Sequence, residues 1–357
     1  MAKDIGIDLG TANVLIHYKG RGIVLNEPAV IALDKQTKDV IAYGKEAYDL
    51  IGRTPPSIEV VHPLRNGVIE DFELTETLLV LFLNKLNISR WFIKPNLLIS
   101  YPSNVGEVAL LSLVEASEKA SGARVYTQPE AVVAAIGAGM DIKEPKAQMI
   151  IDIGGGTTDL AIISKGEVIV GESLTIAGDT FDEAIIQFLK KEHQLLVGPH
   201  SAERLKISTA SALWQEEYLK QNVVKGRDLA SGMPQSVLIN SNELLTCLLP
   251  LFQRIVFTAK QLVQDLPPEI ASDIVEQGIM LSGGGALIDG MDDYLSRQLE
   301  ISVIQADNPL TCVAIGTGML LEYMNTKEWQ QPVKIKKISF WQRVRGLFVR
   351  PRKEDKQ

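Results

Sequence analysis

One short pattern occurs twice in this chain. "IGIDLGTANVLIHYKGRGIVL" starts at residue 5 and "MIIDIGGGTTDLAIISKGEVIV" at residue 149. Each reads as an apolar strand, an Asp, a turn rich in Gly and Thr, a second apolar strand, a Lys-Gly turn and a third strand. Two copies of one unit, each heading one half of the chain, predict two similar α/β lobes. A length of 357 residues with 46% hydrophobic content supplies a core for each.

Glycine in such turns admits positive φ and lets another group approach bare N–H donors, which suits an anion such as a phosphate. Two facing hairpins would clamp a polyphosphate from both sides. Asp8 and Asp152, each just before its turn, would aim carboxylates at the same place. A hard cation must neutralise them there, and magnesium held through water fits. A third glycine cluster, "GIMLSGGGALIDG" at 278–290, follows a strand and precedes a helix. The dinucleotide fingerprint GxGxxG does not apply, because it opens a helix directly after its strand, whereas these hairpin glycines join two strands.

The remaining pattern is mixed. Alternation around "KGRG" and "NEP" predicts successive antiparallel strands with tight turns. "TETLLVLFLNKL" has helical spacing, "NLLISYP" reads as a buried strand, and "GEVALLSLVEASEKASGA" as a helix closed by Gly122. The apolar run "TLLVLFL" is far shorter than the roughly 20 residues of a membrane span, and "MAKDIGIDLG" lacks a secretory pattern, so the expected location is cytoplasmic. Cys247 and Cys312 show neither a CxxC spacing nor a nearby His cluster and are expected in or near the core. His17, His62, His193 and His200 form no ligand spacing. Residues 334–357 carry nine Lys/Arg against two Asp/Glu, leaving 27 against 42 in the body. An acidic body argues against general nucleic-acid binding.

The hairpins Asp8 to Asn13 and Asp152 to Thr158, with "LSGGGALIDG" at 281–290 as an adenosine motif, resemble those of the actin, sugar-kinase and heat-shock-chaperone ATPase superfamily. Within it the chain is similar to the bacterial MreB/Mbl family from about residue 4 to 323. "GKEAYDLIGRTPPSIEVVHPLRNGVIEDF", "IAGDTFDEAII", "AERLKIS", "VKGRDLASGMP" and "NPLTCVAIGTG" carry that similarity. The resemblance implies an actin-like ATPase fold: two similar lobes, each a mixed β-sheet flanked by helices, with a nucleotide cleft between them. The implied division is a first lobe over 1–145 with a small subdomain at 33–66, and a second over 146–325 with a small subdomain at 182–244. A last helix of about 311–325 would return to the first lobe, and a basic tail would occupy 326–357.

The resemblance also implies ATP and magnesium in the cleft. Gly10, Thr11, Ala12 and Asn13 would hold phosphates from one side, and Gly154, Gly155, Gly156 and Thr157 from the other. Gly178 and Asp179 would border the ribose or phosphates, Glu203 and Lys206 the adenine or ribose, and Gly283, Gly284 and Ala286 the nucleoside. Hydrolysis needs a water aligned on the γ-phosphate, which is largely a matter of positioning and charge neutralisation. By the family pattern Glu130 and Thr157 would orient that water, with Asp8 and Asp152 around the metal.

Two stretches depart from the family pattern. Around Glu130 the chain reads "QPEAVV", with Pro129 before the acid and Ala131 where the family has Pro, which would re-aim the carboxylate and slow the chemistry. In "YPSNVGEVALLSLVEAS", Asn104, Gly106, Ala109 and Leu111 stand where Gly, Thr, Glu and Arg are usual, altering lobe coupling or a subunit contact. Asp159 stands where the family often has Glu; strand alternation turns it away from the Thr158 face, which suggests a structural role.

"KKISFWQRVRGLFVRPRK" at 336–353 sets Phe340, Trp341, Val344, Leu347 and Phe348 at helical spacing, with Arg343, Arg345 and Arg350 largely off that stripe. Such a helix suits an anionic membrane surface, or docking on the acidic body or a partner. Trp91 and Phe92, in a loop between helix and strand, fall where the family's first lobe touches membrane. The implied function is an ATP-binding bacterial actin with slow ATPase activity. It would polymerise with itself, lie on the inner face of the cell membrane and determine rod shape alongside cell-wall elongation proteins. A regulatory paralogue with little hydrolysis and a small-molecule kinase on the same fold are the alternatives.

Overall fold

The computed structural model describes residues 4–86, 95–103, 105–217 and 219–323. The first Asp-centred repeat folds as β1 (Ile5–Leu9), β2 (Asn13–Tyr18) and β3 (Gly22–Pro28). The chain then leaves this sheet for a small one built from β4 (Ile31–Asp34), β5 (Val40–Tyr43) and β6 (Ile58–Val61), with α1 (Lys45–Asp49) between the last two. The antiparallel series expected at the start therefore stops at β3. Asn26, Glu27 and Pro28 still belong to that strand, paired with Leu15, Val14 and Asn13, so the turn falls after "NEP" rather than on it.

A two-residue hairpin, β7 (Leu64–Arg65) and β8 (Val68–Ile69), leads to α2 (Phe72–Lys85). Asp71 caps α2 by accepting from the Leu74 amide at 2.9 Å. Next come β9 (Asn96–Tyr101), α3 (Glu107–Ser121), β10 (Arg124–Pro129) and α4 (Glu130–Gly137). Gly122 ends α3 with φ 64°, the left-handed cap that a Cβ would strain.

The second repeat gives β11 (Gln148–Ile153), β12 (Thr158–Ser164) and β13 (Glu167–Leu174), followed by α5 (Gly178–Glu192), β14 (Leu195–Leu196) and α6 (Pro199–Thr209). Strands β15 (Gln221–Asp228) and β16 (Pro234–Asn240) complete a second small sheet with β14. Asn240 and Glu243 form a reciprocal capping box at the start of α7 (Ser241–Gln264). The described residues end with α8 (Pro268–Gln277), β17 (Ile279–Ser282), α9 (Met291–Leu299), β18 (Val303–Gln305) and α10 (Cys312–Tyr323).

The two large sheets have one topology. Their orders, β3-β2-β1-β9-β10 and β13-β12-β11-β17-β18, each join an antiparallel meander to two parallel strands. Each sheet has its own buried cluster, around Phe82 in the first and Phe181 and Phe252 in the second. A further cluster joins them: Ala131 to Ile136 of α4 pack with Leu98 from the first sheet, Ile150 and Ile163 from the second, and Val313 and Leu321 of α10. The last helix thus returns to the first lobe, against α4, β1 and β2. Contact there is close enough that a Cβ on Gly316 would collide with the Val133 carbonyl. Cys312 is buried and Cys247 half-buried, as expected of core residues. Among the described residues no helix is long and apolar enough to cross a membrane. Asn104, Trp91, Phe92 and the tail residues Phe340, Trp341, Val344, Leu347 and Phe348 lie outside the described residues.

Candidate functional site

Because β1 and β11 occupy equivalent places in the two sheets, their C-terminal ends bring Asp8 and Asp152 to the walls of one cavity of about 320 Å³. Gly10, Thr11, Ala12 and Asn13 line it from the first hairpin, and Gly154, Gly155, Gly156 and Thr157 from the second. Gly178, Asp179, Glu203, Lys206, Gly283 and Gly284 complete the predicted set. Glu130 lines the cavity as well. Pro129 ends β10 at φ −57° and needs no N–H there, which leaves Glu130 as the first residue of α4.

Ala286 is a correction. Its side chain is 1% exposed and belongs to the second lobe's core, because the short 3-10 turn Gly284–Leu287 points it inward and leaves Gly285 and Leu287 facing the cavity.

Positive φ is not what the hairpin glycines supply. Gly10, Gly154, Gly155 and Gly156 all lack positive φ. What they provide is proximity: a Cβ on Gly155 would lie 2.6 Å from the Ala12 Cβ, and one on Gly156 2.5 Å from Thr11 Oγ1. The two turns therefore touch across the floor of the cleft. Each is also anchored from behind. The first amides of α5 donate to the Gly154 and Gly155 carbonyls at 3.1 and 2.8 Å, and Thr11 Oγ1 accepts from the Gly67 amide at 2.8 Å.

The floor is an accumulation of buried carboxylates. Burial and then the neighbouring Asp152 charge push the Asp8 carboxyl up to about 7. Asp152 also rises to about 7, through burial and the charge of Asp159, with the nearby Ser282 side chain opposing the rise. Glu130 is raised well above its ordinary range by burial and by Asp159, Asp8 and Asp152. These oxygens suit a hard divalent cation, whose charge would offset their repulsion. A Cβ on Gly283 would run into Asp152 Oδ1, so only glycine leaves that carboxylate its place. Among the described residues no group of three or more His, Cys, Asp or Glu is set to hold a metal.

Toward the cleft mouth, two contacts escaped the sequence reading. Lys206 Nζ bonds the Gly178 carbonyl at 3.0 Å and Asp182 Oδ2 at 2.9 Å, tying α6 to the start of α5. Burial nevertheless holds the Asp182 carboxyl at about 7, with Lys206 opposing the rise. Across the cleft, the Tyr48 hydroxyl of α1 donates to Glu203 of α6, while His200 Nε2 lies 2.8 Å from the Tyr48 carbonyl and its ring packs edge-on against the tyrosine. Desolvation and Glu203 raise the Tyr48 hydroxyl well above its ordinary value. Neither pairing has a local signal, since the partners are 155 residues apart for Tyr48 and Glu203. Leu310 and Val313 add apolar lining, also unforeseen.

Residues 2–329 match the MreB/Mbl protein family. The chain is 48% identical over 324 residues to the cell shape-determining protein Mbl of Bacillus subtilis, covering 91% of this chain and 97% of the relative. It is 41% identical over 330 residues to the cell shape-determining protein MreB of Escherichia coli K12, covering 91% and 94%. Among solved structures, MreB5 of Spiroplasma citri bound to ADP is similar with a TM-score of 0.87 and 36% identity, covering 91% of this chain and 97% of that one. A family match across nearly the whole length, with the duplicated sheet and paired hairpins of an actin-like fold, leaves one assignment: this chain belongs to the MreB/Mbl family.

Proposed function

We propose that the protein is an ATP-binding bacterial actin that assembles head to tail into filaments on the inner face of the cell membrane and takes part in setting cell shape. The observation that carries this reading is the meeting of the two hairpins around buried Asp8 and Asp152, in a cavity between duplicated lobes. Relatives named for cell-shape determination and a neighbour bound to ADP support it.

In this reading the amides of the two glycine turns hold the phosphates, and the nucleoside lies toward Gly283, Gly284, Glu203 and Lys206. Asp8 and Asp152 hold magnesium through water, and the ion supplies neutralisation of phosphate charge. Glu130 and Thr157 orient the attacking water, so the chain works as a slow ATPase by positioning rather than covalent chemistry. Nucleotide bridging the lobes favours the closed state and assembly, and hydrolysis weakens it. Membrane contact through Trp91, Phe92 and the basic tail becomes strong on polymerisation, because linked weak anchors raise effective concentration. Cell-wall elongation proteins are the expected partners.

The test is electron microscopy of the purified protein on an anionic lipid monolayer with Mg-ATP, beside a truncation ending at Thr326. Lipid-bound filaments from the full chain but not from the truncation are expected. Absence of filaments from both would remove self-assembly from the reading.

A further inference from the structure

Across the mouth of the cleft the two small subdomains share one carboxylate. Glu203 lines the cavity from α6, and Tyr48, which does not line it, donates its hydroxyl to Glu203 Oε2 from α1 of the first lobe. The tyrosine is itself held in place. His200, on the same helix as Glu203, sets its Nε2 2.8 Å from the Tyr48 carbonyl and packs edge-on against the Tyr48 ring. Glu27 of β3 accepts from the Lys45 amide at 2.8 Å, which fixes the start of α1 to the first large sheet. Desolvation and then Glu203 keep the proton on the Tyr48 hydroxyl, so the tyrosine acts as donor to the carboxylate.

Glu203 stands where the sugar of a nucleotide would lie. The Gly178 amide bonds the Gly154 carbonyl of the second phosphate turn at 3.1 Å, and Lys206 Nζ bonds the Gly178 carbonyl at 3.0 Å. Glu203 is one helical turn before Lys206, so the two share a face of α6. It is thus a short step from the phosphates, and the sugar is the group that follows them. The base would lie beyond, toward Leu287, Ile288 and Leu310. A sugar hydroxyl donates its proton, and an ionised carboxylate only accepts. Lys206 cannot answer it, because an ammonium has no acceptor and this one already bonds Gly178 and Asp182 Oδ2. Asp182 has that oxygen on Lys206 and the other shut off from solvent. Asp179 sits at the phosphate turn itself, where its amide donates to the Gly155 carbonyl at 2.8 Å. Glu203 is left as the acceptor. A long side chain already fixed by a partner also loses less rotamer freedom when a ligand arrives.

We infer that Tyr48 is a positioning residue for the sugar: it holds Glu203 as acceptor for the ribose hydroxyls, so that telling ribose from deoxyribose requires the two small subdomains to be together. The inference rests on the nucleotide-binding reading above. A bond that merely closed the cleft would, on removal, weaken every nucleotide alike. A residue that orients the acceptor changes the ratio between nucleotides, because a site built to bond a hydroxyl rejects the analogue that lacks it.

The experiment measures Kd for Mg-ATP, its 2′-deoxy and 3′-deoxy forms and the triphosphate of purine riboside, which lacks the amino group of adenine, by competition against a labelled nucleotide. It uses the full chain, unsubstituted and carrying Tyr48→Phe, Glu203→Ala or both. The unsubstituted protein should prefer ATP over at least one deoxy form by about tenfold or more. Tyr48→Phe keeps the ring against His200 and should reduce that preference to below about threefold. In the Glu203→Ala background the same change should move the preference by less than about twofold, the non-additivity of groups that act as a unit. Four results would each overturn the inference: an unsubstituted protein that binds ATP and both deoxy forms alike, a Tyr48→Phe protein that keeps the full preference, one that weakens all four nucleotides by a single factor, or one whose change appears only between ATP and the purine riboside triphosphate. An unsubstituted protein that binds none of the four would instead sink the nucleotide-binding reading itself, and the inference with it.

Discussion

Gly155→Ala tests whether the two phosphate turns must touch. The added methyl would sit 2.6 Å from the Ala12 Cβ and 3.3 Å from the Ala12 amide nitrogen, both in the opposite lobe. Carbon atoms in contact prefer about 3.5–4.0 Å, so the turns must separate by roughly 1 Å at the cleft floor. Neither side offers a flexible end to swing aside, since Ala12 has only a Cβ and Gly155 is held by the Asp179 amide at 2.8 Å. Gly155 lacks positive φ, so the substitution adds volume without backbone strain. Overpacking of this kind costs about 1–3 kcal/mol. If closure on nucleotide bears that cost, Kd should rise about 5- to 150-fold. Gly154→Ala is the matched control, because its Cβ would approach only the Thr157 carbonyl of its own loop, at 3.1 Å. Fluorescence anisotropy with a labelled nucleotide, alongside thermal melting, measures both variants. A Gly155→Ala protein binding within about twofold of the unsubstituted chain, or a Gly154→Ala protein losing as much, would refute the reasoning.

Glu130→Ala should lower single-turnover phosphate release about a hundredfold while leaving nucleotide affinity nearly unchanged, as loss of a water-orienting group does; equal losses in both would contradict that role. Asp8 and Asp152 titrate near 7 instead of 3.8 in the fold. Their raised values mean that stability of the nucleotide-free protein is fully present below the unfolded carboxyl value and falls as pH rises through about 7, whereas magnesium-nucleotide binds the ionised pair and gains affinity over the same interval. Melting curves from about pH 5 to 8, with and without magnesium-nucleotide, check both slopes, and a nucleotide-free protein that stabilises toward pH 8 would contradict the assignment. Tyr48→Phe removes the hydroxyl that bonds Glu203 across the cleft mouth, worth about 0.5–1.5 kcal/mol, so nucleotide release measured by stopped flow should quicken a few-fold.

The repeat alone predicted two similar lobes and the two turns that meet at the cleft floor, because strand alternation and glycine turns are local and each copy reports the other. Asp8, Asp152, Gly10 and Gly155 could be placed for that reason. Residues whose role depends on a distant partner could not: Tyr48 meets Glu203 from a different small subdomain, and Lys206 meets Asp182 through the packing of α6 on α5. Ala286 shows a limit of motif transfer, since a 3-10 turn of four residues alternates its faces too quickly for a glycine-rich string to tell which side chain points inward.

The return of α10 to the first lobe also constrains how the protein is made. Gly6 of β1 faces Thr317 so closely that a Cβ there would collide with it, and Val133 of α4 meets Gly316 in the same way. Strand β1 leaves the ribosome some three hundred residues ahead of α10. At about 5–20 residues per second, the apolar surface of β1 waits roughly 15 to 60 seconds for its cover, and that of α4 roughly 9 to 36. The first lobe therefore keeps part of its apolar surface bare until synthesis has reached α10, whatever the order in which the two sheets form.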